Sequence, residues 1–361
     1  MTFIADMFDV SDLDLMLTAG FVKGVRHREA PYTILNYTDR AQFAHVWNDV
    51  TLACRGLIID DSGRVVARPF KKFFNHNQTD ISREGPVSVT EKIDGSLGIL
   101  YQLPDGSHHV ATRGSFCSEQ AVHATEVWEK RYKETFTPNP EWTYLFEIVF
   151  PDNRVVVDYK DFDDLVLLGA ISIETGLSVP LEQAATNWPG PVVETLSYKS
   201  FDAALNAPAR QGVEGCVVHF SDTDMRIKIK EESYVRLHQL VTDVSERRVW
   251  EALSSNIDIE AAFEGVPDEL FEFVRTTKER LKSQFDELTN QVFARTAATC
   301  EALGPNFSRQ EFAKAVALCS DFELSRSMFA VLDGKDFSAA VWKTLRPAQH
   351  ERWTFAKTDR M

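Results

Sequence analysis

The sequence is poor in cysteine and has no long apolar run. Its five cysteines are scattered, odd in number and without a Cys-x-x-Cys pair, which argues against a disulfide framework and a structural zinc site. No apolar run approaches the roughly 20 residues that a membrane-spanning helix needs. The acidic residues 1–16 lack the basic segment and the small-residue cleavage site of a signal peptide. These absences predict a reduced, cytoplasmic protein without a membrane partner, and nothing in the sequence indicates an obligate protein partner.

Positive charge is also scarce. The sequence has 39 lysines and arginines against 54 aspartates and glutamates, which gives a formal net charge of −15. Because an acidic protein does not coat nucleic acid nonspecifically, any RNA binding would need a local basic cleft. Basic residues do cluster within residues 64–72 and 226–230. Each cluster fits either such a cleft or a solvated strand edge.

The predicted secondary structure changes near residue 240. Before it, short apolar runs alternate with turn signals, a pattern typical of strands and hairpins. Helices are predicted at Asp39 to Asn48 and at Ser118 to Tyr132. The predicted strands are Cys54 to Ile59, Val65 to Arg68, Val87 to Ile93, Leu97 to Leu103, His108 to Thr112, Tyr144 to Phe150, Leu165 to Ile173, Gly215 to Phe220 and Arg226 to Lys230. The predicted fold class is α+β, with a domain over residues 1–240 built on antiparallel sheets.

Beyond residue 240 the apolar period becomes helical. A segment that opens at Pro267 and closes at Gly304 has apolar residues at spacings of about 3.6. These residues are Leu270, Val274, Leu281, Phe285, Leu288 and Val292. Ser308 and Glu311 form a capping-box pattern before a further helix. We therefore predict an all-helical C-terminal domain over residues 241–361.

The central chemical signal is the run Lys92-Ile93-Asp94-Gly95, which stands at the end of a predicted strand. A lysine at a strand–turn junction can act as a covalent nucleophile when burial or nearby positive charge lowers its pKa. On its own the run is weak, because it also describes an ordinary lysine before a turn.

Three further features follow this run along the chain. Glu147 lies among apolar residues of a predicted strand, and Glu214 directly precedes Gly215. Arg226, Lys228 and Lys230 alternate with isoleucines, so strand geometry places the three cations on one face. Repelling cations on one face suit a polyphosphate, whose charge is spread over several oxygens. A solvent-exposed strand face is an equally open interpretation.

In this order the features resemble the covalent nucleotidyltransferase superfamily of polynucleotide ligases and capping enzymes, in which the lysine of a Lys-x-Asp-Gly motif carries a nucleoside monophosphate. The finer resemblance, over roughly residues 30–240, is to the bacteriophage RNA ligase 1 family, the type that repairs broken tRNA. Its most discriminating stretch is Arg68 to Asn75 (RPFKKFFN), which capping enzymes and DNA ligases are not expected to show. The other matching stretches are Cys54 to Gly56, Glu91 to Leu97, Arg113 to Ser115, Phe146-Glu147, Pro151 to Val155, Glu214-Gly215, and Lys228 to Lys230 with Tyr234 and Leu237-His238.

The resemblance implies an ATP-dependent RNA ligase. Lys92 would attack the α-phosphate of ATP and carry AMP, which would pass to an RNA 5′-phosphate before an RNA 3′-OH displaces it. The implied catalytic residues are Lys92, Asp94, Lys228 and Lys230. The implied ATP-binding residues are Tyr37, Arg55, Lys72, Glu91, Gly95, Arg113, Glu147, Val217, Lys228 and Lys230. Glu214 would orient a divalent metal, expected to be Mg2+.

The resemblance also implies particular contacts. Neighbouring cations would favour the neutral amine of Lys92 through like-charge repulsion. Glu147 would accept a hydrogen bond from the ribose, Val217 would lie against the adenine, and Gly95 would allow close backbone approach. Arg113 stands where the family often has a lysine, and the two side chains bind phosphate differently.

Two alternative functions stay open. A GTP-dependent capping enzyme or a DNA ligase is disfavoured because residues 241–361 lack the alternating strands of an OB-fold. A non-catalytic RNA-binding module is disfavoured because a fold alone would not require these lysines and acids. Whether the RNA is tRNA stays unassigned, since the helical region that the family links to tRNA preference matches only weakly. For Phe73, core packing is favoured over stacking on a base.

Overall fold

A computed structural model describes residues 1–79, 83–236, 245–259, 268–317 and 322–347. The chain forms two compact units, Met1–Val235 and Arg236–Met361. The first unit contains three β-sheets, and the second is helical in its described residues. The α+β class with antiparallel sheets is thus confirmed. Predictions for Leu237, His238, Pro267 and the Leu270 side chain fall outside the described residues.

The first sheet is a four-stranded antiparallel meander with the strand order β1-β2-β3-β4. Its strands are β1 (Val22–Arg26), β2 (Tyr32–Tyr37), β3 (Arg55–Asp60) and β4 (Val65–Ala67). The predicted hairpin between Cys54 and Arg68 is confirmed as β3 and β4. Because Asn36 pairs with Arg55 across β2 and β3, Tyr37 and Arg55 are brought to neighbouring strand ends.

Three short helices accompany this sheet: α1 (Val10–Thr18), α2 (Asp39–Phe43) and α3 (Asp49–Ala53). The prediction of one helix from Asp39 to Asn48 is wrong in its extent. The chain leaves α2 after Phe43, and His45 adopts a left-handed φ of 53°. Asn48 is extended and its side chain accepts a hydrogen bond from the Thr51 amide, which makes Asn48 the N-cap of α3 rather than a helical residue.

The second sheet has the order β11-β10-β9-β7-β8. Its strands are β7 (Ser96–Gln102), β8 (His108–Thr112), β9 (Trp142–Val149), β10 (Asp164–Ser172) and β11 (Ser178–Val179). The helix predicted at Ser118 to Tyr132 is confirmed as α4 (Glu119–Val127), continued by a π-helical turn. Trp128 in that turn packs with Phe146 of β9 in one core, whereas the neighbouring Leu145 packs with Ile34 of the first sheet in another. Period-two alternation thus buries both faces of β9.

The third sheet has the order β12-β6-β13-β14-β5. Its strands are β5 (Phe74–Asn75), β6 (Val87–Glu91), β12 (Thr195–Leu196), β13 (Gly215–Phe220) and β14 (Met225–Lys230), with β5 parallel to β14. Helix α5 (Leu181–Ala184) follows β11, and α6 (Phe201–Leu205) covers one face of this sheet, where Phe201 packs with Val218 and Ile227. The predicted strands are therefore confirmed, with Lys92 directly after β6.

The second unit contains five helices in its described residues: α7 (Glu246–Ser254), α8 (Asp268–Leu303), α9 (Arg309–Ala317), α10 (Phe322–Leu332) and α11 (Ser338–Thr344). Val274, Leu281 and Val292 of the predicted stripe are buried. The capping box is confirmed, because the Ser308 amide donates to the Glu311 carboxylate and the Glu311 amide donates to the Ser308 hydroxyl. Within the described residues, no helix is long and apolar enough to cross a membrane.

Candidate active site

A cavity of about 560 Å³ is lined by residues from all three sheets and from the segments that connect them. It falls within the size range of small-molecule sites, ~300–1,000 Å³. The predicted site residues that line it are Arg55, Glu91, Lys92, Gly95, Arg113, Glu147, Val217 and Lys228. The predicted residues outside this lining are Tyr37, Lys72, Asp94, Glu214 and Lys230. The strand arrangement therefore brings residues from widely separated parts of the chain to one cleft.

Lys92 is held by a buried carboxylate. Its Nζ lies 2.6 Å from one oxygen of Glu214, and the Nζ of Lys230 lies 2.7 Å from the other. Glu214 is 3% exposed. Burial alone would lower the pKa of Lys92, but the negative charges of Glu214 and Glu147 together raise it above the ordinary lysine value. The expectation that neighbouring cations favour the neutral amine of Lys92 is therefore wrong for the ligand-free protein.

The pKa of Lys228 is shifted in the opposite direction to that of Lys92. Burial, followed by repulsion from Arg55 and Lys92, lowers the pKa of Lys228 to about 6. Its Nζ lies 4.8 Å from the centre of the Phe73 ring, and the Arg55 guanidinium lies 5.4 Å from the same ring. The ring is partly buried against the core of the first two sheets, as predicted, yet it also lines the cavity. The sequence pattern favoured only the first of these two roles.

Arg55 has an unsatisfied donor. Among the described residues, its buried Nη1 atom has no hydrogen-bond partner. Burial lowers the pKa of Arg55, and repulsion from Arg113 adds to this effect. An unpaired buried donor is costly, so an anionic acceptor in the cavity would relieve this cost.

Glu147 faces the cavity from β9. Burial raises its pKa to about 7, against the opposing effect of the Lys92 charge. Its carboxylate accepts a hydrogen bond of 3.1 Å from the Gly95 amide. A Cβ atom at position 95 would stand only 2.5 Å from the Ile148 carbonyl oxygen, so Gly95 is required by the close approach of the backbone to β9.

Asp94 lies outside the lining and is fully engaged. One carboxylate oxygen accepts hydrogen bonds of 2.8 Å from the amides of Val156 and Val157. The other accepts a hydrogen bond of 2.7 Å from the Tyr234 hydroxyl. In this geometry Asp94 ties the segment that follows Lys92 to two distant parts of the chain.

Tyr37, Lys72 and Arg113 form a second group near the cavity. The exposed Arg113 donates a hydrogen bond of 2.7 Å to the Tyr37 hydroxyl. Lys72 lies over three aromatic rings, at 5.2 Å from Tyr37, 5.3 Å from Trp47 and 5.4 Å from Phe74. Burial lowers the pKa of Lys72. Sequence reasoning missed Trp47, since it fell inside the segment interpreted as one continuous helix.

Apolar side chains from the second and third sheets complete the lining. Val217 lines the cavity from β13 and Leu168 lines it from β10. Two such residues on facing sheets form a slot suited to a flat base. Leu168 was not predicted, because an apolar strand residue carries no chemical signature. Glu91 lies at the end of β6, where burial raises its pKa, and Arg210 lies 3.9 Å away.

Comparisons with known proteins show which family this chain belongs to. A family model described as RNA ligase matches residues 53–234. An RNA ligase of Rhodothermus phage RM378 is 25% identical over 371 residues, which cover 79% of this chain and 82% of that protein. RNA ligase 1 of bacteriophage TS2126 is 29% identical over 219 residues, which cover 52% of this chain and 52% of that protein. The structure of an archaeal ATP-dependent RNA ligase gives a TM-score of 0.44 at 16% identity, covering 91% of this chain and 96% of that chain.

Proposed function

The chain belongs to the phage RNA ligase 1 family, and on that premise we propose that it joins RNA ends with ATP through a lysyl-AMP intermediate. Residues 1–240 would form the adenylyltransferase domain. The observation that carries the proposal is the position of Lys92, which directly follows β6 and lines a cavity that also contains Arg55 and Lys228. A nucleophilic amine and cations without acidic partners are what transfer of a nucleotide from a triphosphate requires.

ATP would lie along the cleft with its base between Leu168 and Val217 and its phosphates near the cations. Glu147 would accept a hydrogen bond from the ribose. The buried Nη1 of Arg55, which has no partner among the described residues, would donate to a phosphate oxygen. Lys228, whose pKa is about 6, would gain a proton and a counter-charge in the same event.

In the first step the Nζ of Lys92 would bond to the α-phosphorus while the bond to the bridging oxygen breaks and pyrophosphate leaves. An amine attacks only when it is neutral, so Lys92 must lose a proton to solvent and leave Glu214. The Lys92–Glu214 pair stabilises the protonated amine in the ligand-free protein. Lys228 and Lys230 would stabilise the charge that develops on the phosphates.

Magnesium would neutralise phosphate charge in this reaction. In the described part of the chain, no group of three or more histidine, cysteine or acidic side chains could hold a metal by itself. Mg2+ commonly binds one or two carboxylates together with substrate phosphates and water. Glu214, buried beside Lys92, fits that role when ATP supplies the remaining oxygens.

The later steps concern RNA. AMP would pass from Lys92 to the 5′-phosphate of one RNA end, and the 3′-OH of the other end would then displace AMP and form a phosphodiester bond. Both ends must be held in line for this displacement. We place the activity in cytoplasmic tRNA repair, with residues 241–361 setting the preference for RNA.

The test is covalent labelling with α-labelled nucleotides. The protein is incubated with ATP, GTP or deoxy-ATP and magnesium, and label is followed on a denaturing gel. We expect label from ATP that is lost in Lys92→Ala and kept in Lys71→Ala, which removes an exposed lysine outside the cavity lining. Label from GTP alone would support a capping enzyme, and no label from any nucleotide would support a non-catalytic binding module.

A second assay tests the RNA steps. The labelled protein is mixed with a nicked anticodon stem-loop that carries 3′-OH and 5′-phosphate ends, or with a plain single-stranded oligonucleotide. We expect AMP to leave the protein and a sealed product to form, with the stem-loop preferred. Equal sealing of both RNAs would retain the ligase and contradict the assignment to tRNA repair.

A further inference from the structure

The cleft continues beyond the position proposed for the base. A second cavity of about 460 Å³ adjoins the first. The two cavities share five lining residues: Phe70, Thr90, Leu168, Val217 and Arg226. Because Leu168 and Val217 belong to both, the slot proposed for the base opens on one side to the phosphate region and on the other to this second cavity.

Strand register shows how the two cavities follow one another. Side chains on one face of a sheet recur every second residue, so paired residues form rows across β6, β13 and β14. One row consists of Thr90, Val217 and Lys228, all lining the first cavity. The next row on the same face consists of Ser88, His219 and Arg226, all lining the second cavity. The second cavity therefore lies one row further from Lys92 along β6.

Several polar side chains that line the second cavity already have hydrogen-bond partners within the protein. The Nε2 atom of His219 lies 2.6 Å from an Asp224 carboxylate oxygen, and the Ser178 amide donates to the other oxygen at 3.1 Å. Arg226 donates to the Ser178 hydroxyl and stacks 4.3 Å from the centre of the Phe70 ring. Because these groups bond to one another, the cavity does not demand a particular polar ligand.

Other residues of the lining are apolar or exposed to solvent. Val179 and Leu181 line the cavity together with Leu177, which is 57% exposed. Thr195 and Glu182 are exposed residues of the same lining. A group that entered from the base slot would thus meet apolar side chains and an open mouth rather than a closed end.

The orientation of ATP decides which edge of the base faces this cavity. In the proposed function the ribose lies near Glu147 and the phosphates near Lys92 and Lys228. The base joins the ribose through N9, so its opposite edge, with N1 and the 6-amino group, points away from these residues. Along the cleft, that direction leads to the row of Ser88, His219 and Arg226.

We propose that the second cavity receives substituents on the 6-amino group, so that the protein accepts ATP extended there by an apolar group such as benzyl. The inference rests on the proposed function, because it uses the same reaction. The Nζ of Lys92 bonds to the α-phosphorus of N6-benzyl-ATP, pyrophosphate leaves, and Lys92 carries N6-benzyl-AMP. The benzyl ring packs against Leu177 and Leu181 and displaces water through the open mouth.

The test compares ATP with N6-benzyl-ATP as donors, using the mass of the intact protein and the rate of single-turnover labelling. We expect kcat/KM for N6-benzyl-ATP within about tenfold of that for ATP, since a matching pocket tolerates added apolar atoms. Ser88→Phe fills the second cavity and should lower the ratio of N6-benzyl-ATP to ATP reactivity about tenfold or more. Ser88→Ala, which removes only the hydroxyl, should retain the wild-type ratio.

Each other result contradicts a specific part of the inference. Reaction with ATP and none with N6-benzyl-ATP overturns the role of the cavity and leaves the proposed function intact, whereas no reaction with ATP overturns both. Equal reaction with 8-benzylamino-ATP, substituted on the ribose side of the base, overturns the assigned edge. If Ser88→Phe does not fold, Thr195→Trp at the exposed mouth replaces it, and an unchanged ratio in the folded variant overturns the location.

Discussion

Five cations in and beside the cavity fall into two regions that differ in how the charge of their side chains is compensated. In the paired region, Lys92 and Lys230 each contact one oxygen of Glu214. In the unpaired region, formed by Arg55, Lys72 and Lys228, no salt bridge is present among the described residues. The members of the unpaired region lie over aromatic rings, at 4.8–5.4 Å from the ring centres. Lys230 makes such a contact too, at 4.9 Å from the Tyr234 ring, but in addition to its carboxylate partner.

The difference separates the nucleophile from the anion site. Glu214 compensates the buried charge of Lys92, so the pKa of Lys92 is raised and the amine is kept protonated. Nothing comparable compensates Lys228, so its pKa falls to about 6. A polyphosphate gains most where cations are uncompensated, because it relieves their mutual repulsion as well as forming its own contacts. In the proposed function the unpaired cations would therefore serve mainly to bind phosphate, and the paired region would hold the nucleophile.

Glu214→Ala breaks the paired region and should have the largest effect. It leaves Lys92 and Lys230 largely buried without a carboxylate, so we expect the free energy of unfolding to fall by about 3–5 kcal/mol. Urea denaturation at pH 7 measures this loss. Glu232→Ala removes an exposed carboxylate and should stay within about 0.5 kcal/mol of the wild type. Equal stability of the two variants would show that the paired region compensates no buried charge.

Lys228→Met removes a member of the unpaired region and should change stability in the opposite direction. At pH 7 the folded chain holds Lys228 mostly neutral, since its pKa is about 6, whereas the unfolded chain keeps the proton. Losing a lysine whose charged form burial and like charges disfavour should therefore leave the free energy of unfolding unchanged or raise it. Formation of lysyl-AMP should slow by about 10²–10³-fold, the usual loss when one preorganised charge is removed. Urea denaturation and single-turnover labelling measure the two effects. Lys228→Arg, which keeps the charge, should recover part of the rate; a destabilised Lys228→Met that labels normally would contradict the comparison.

Proton uptake offers a finer test of the unpaired region. At pH 8, Lys228 is neutral in the ligand-free protein, since its pKa is about 6. Bound phosphates raise that pKa, so we expect uptake of about one proton when ATP binds in the presence of a chelator. Titration calorimetry in buffers of different ionisation enthalpy measures the uptake, which should vanish in Lys228→Met. Equal uptake in both proteins would assign the proton to another group.

Lys228 also determines whether the free energy of unfolding rises or falls with pH. Its pKa is lower in the folded than in the unfolded chain, so the unfolded chain binds more protons between about pH 6 and 10. Above pH 7, where Glu147 has also ionised, this lysine should make ligand-free stability rise with pH, by up to about 1.4 kcal/mol per unit. Urea denaturation between pH 7 and 9 measures this slope, and Lys228→Met should reduce it.

The two regions were not equally readable from the sequence. Strand periodicity and the turn after Lys92 predicted β6, β13 and β14 and placed the cations of β14 on one face. The partner of Lys92 was not readable, because Glu214 is 122 residues away and only the pairing of β6 with β13 brings them together. The charge state of Lys92 depends on that contact, which is why the expected direction of its pKa shift was wrong.

The aromatic rings around the unpaired region were even harder to predict from the sequence. Phe73 packs against the core of the first two sheets and also lines the cavity, and an apolar residue in a sequence indicates only the packing. Trp47 stands between two short helices whose separation depends on the cap at Asn48. Because the sequence pattern was interpreted as one helix continuing through Asn48, the loop between the two helices was not predicted. The contact between the Trp47 ring and Lys72 was missed for the same reason.

Trp47→Leu tests the contact between a single aromatic ring and Lys72 in the unpaired region, and it should have the smallest effect. It removes one of three rings around the Lys72 ammonium, an interaction that contributes about 0.5–1 kcal/mol. We expect KM for ATP to rise about two- to fivefold with kcat unchanged, because the ring acts on binding through Lys72 and touches no reacting atom. Trp47→Phe, which keeps a ring, should lie between the two proteins. A fall in kcat with unchanged KM would instead place Lys72 among the groups that act only in the transition state, and the unpaired region would then serve catalysis more than binding.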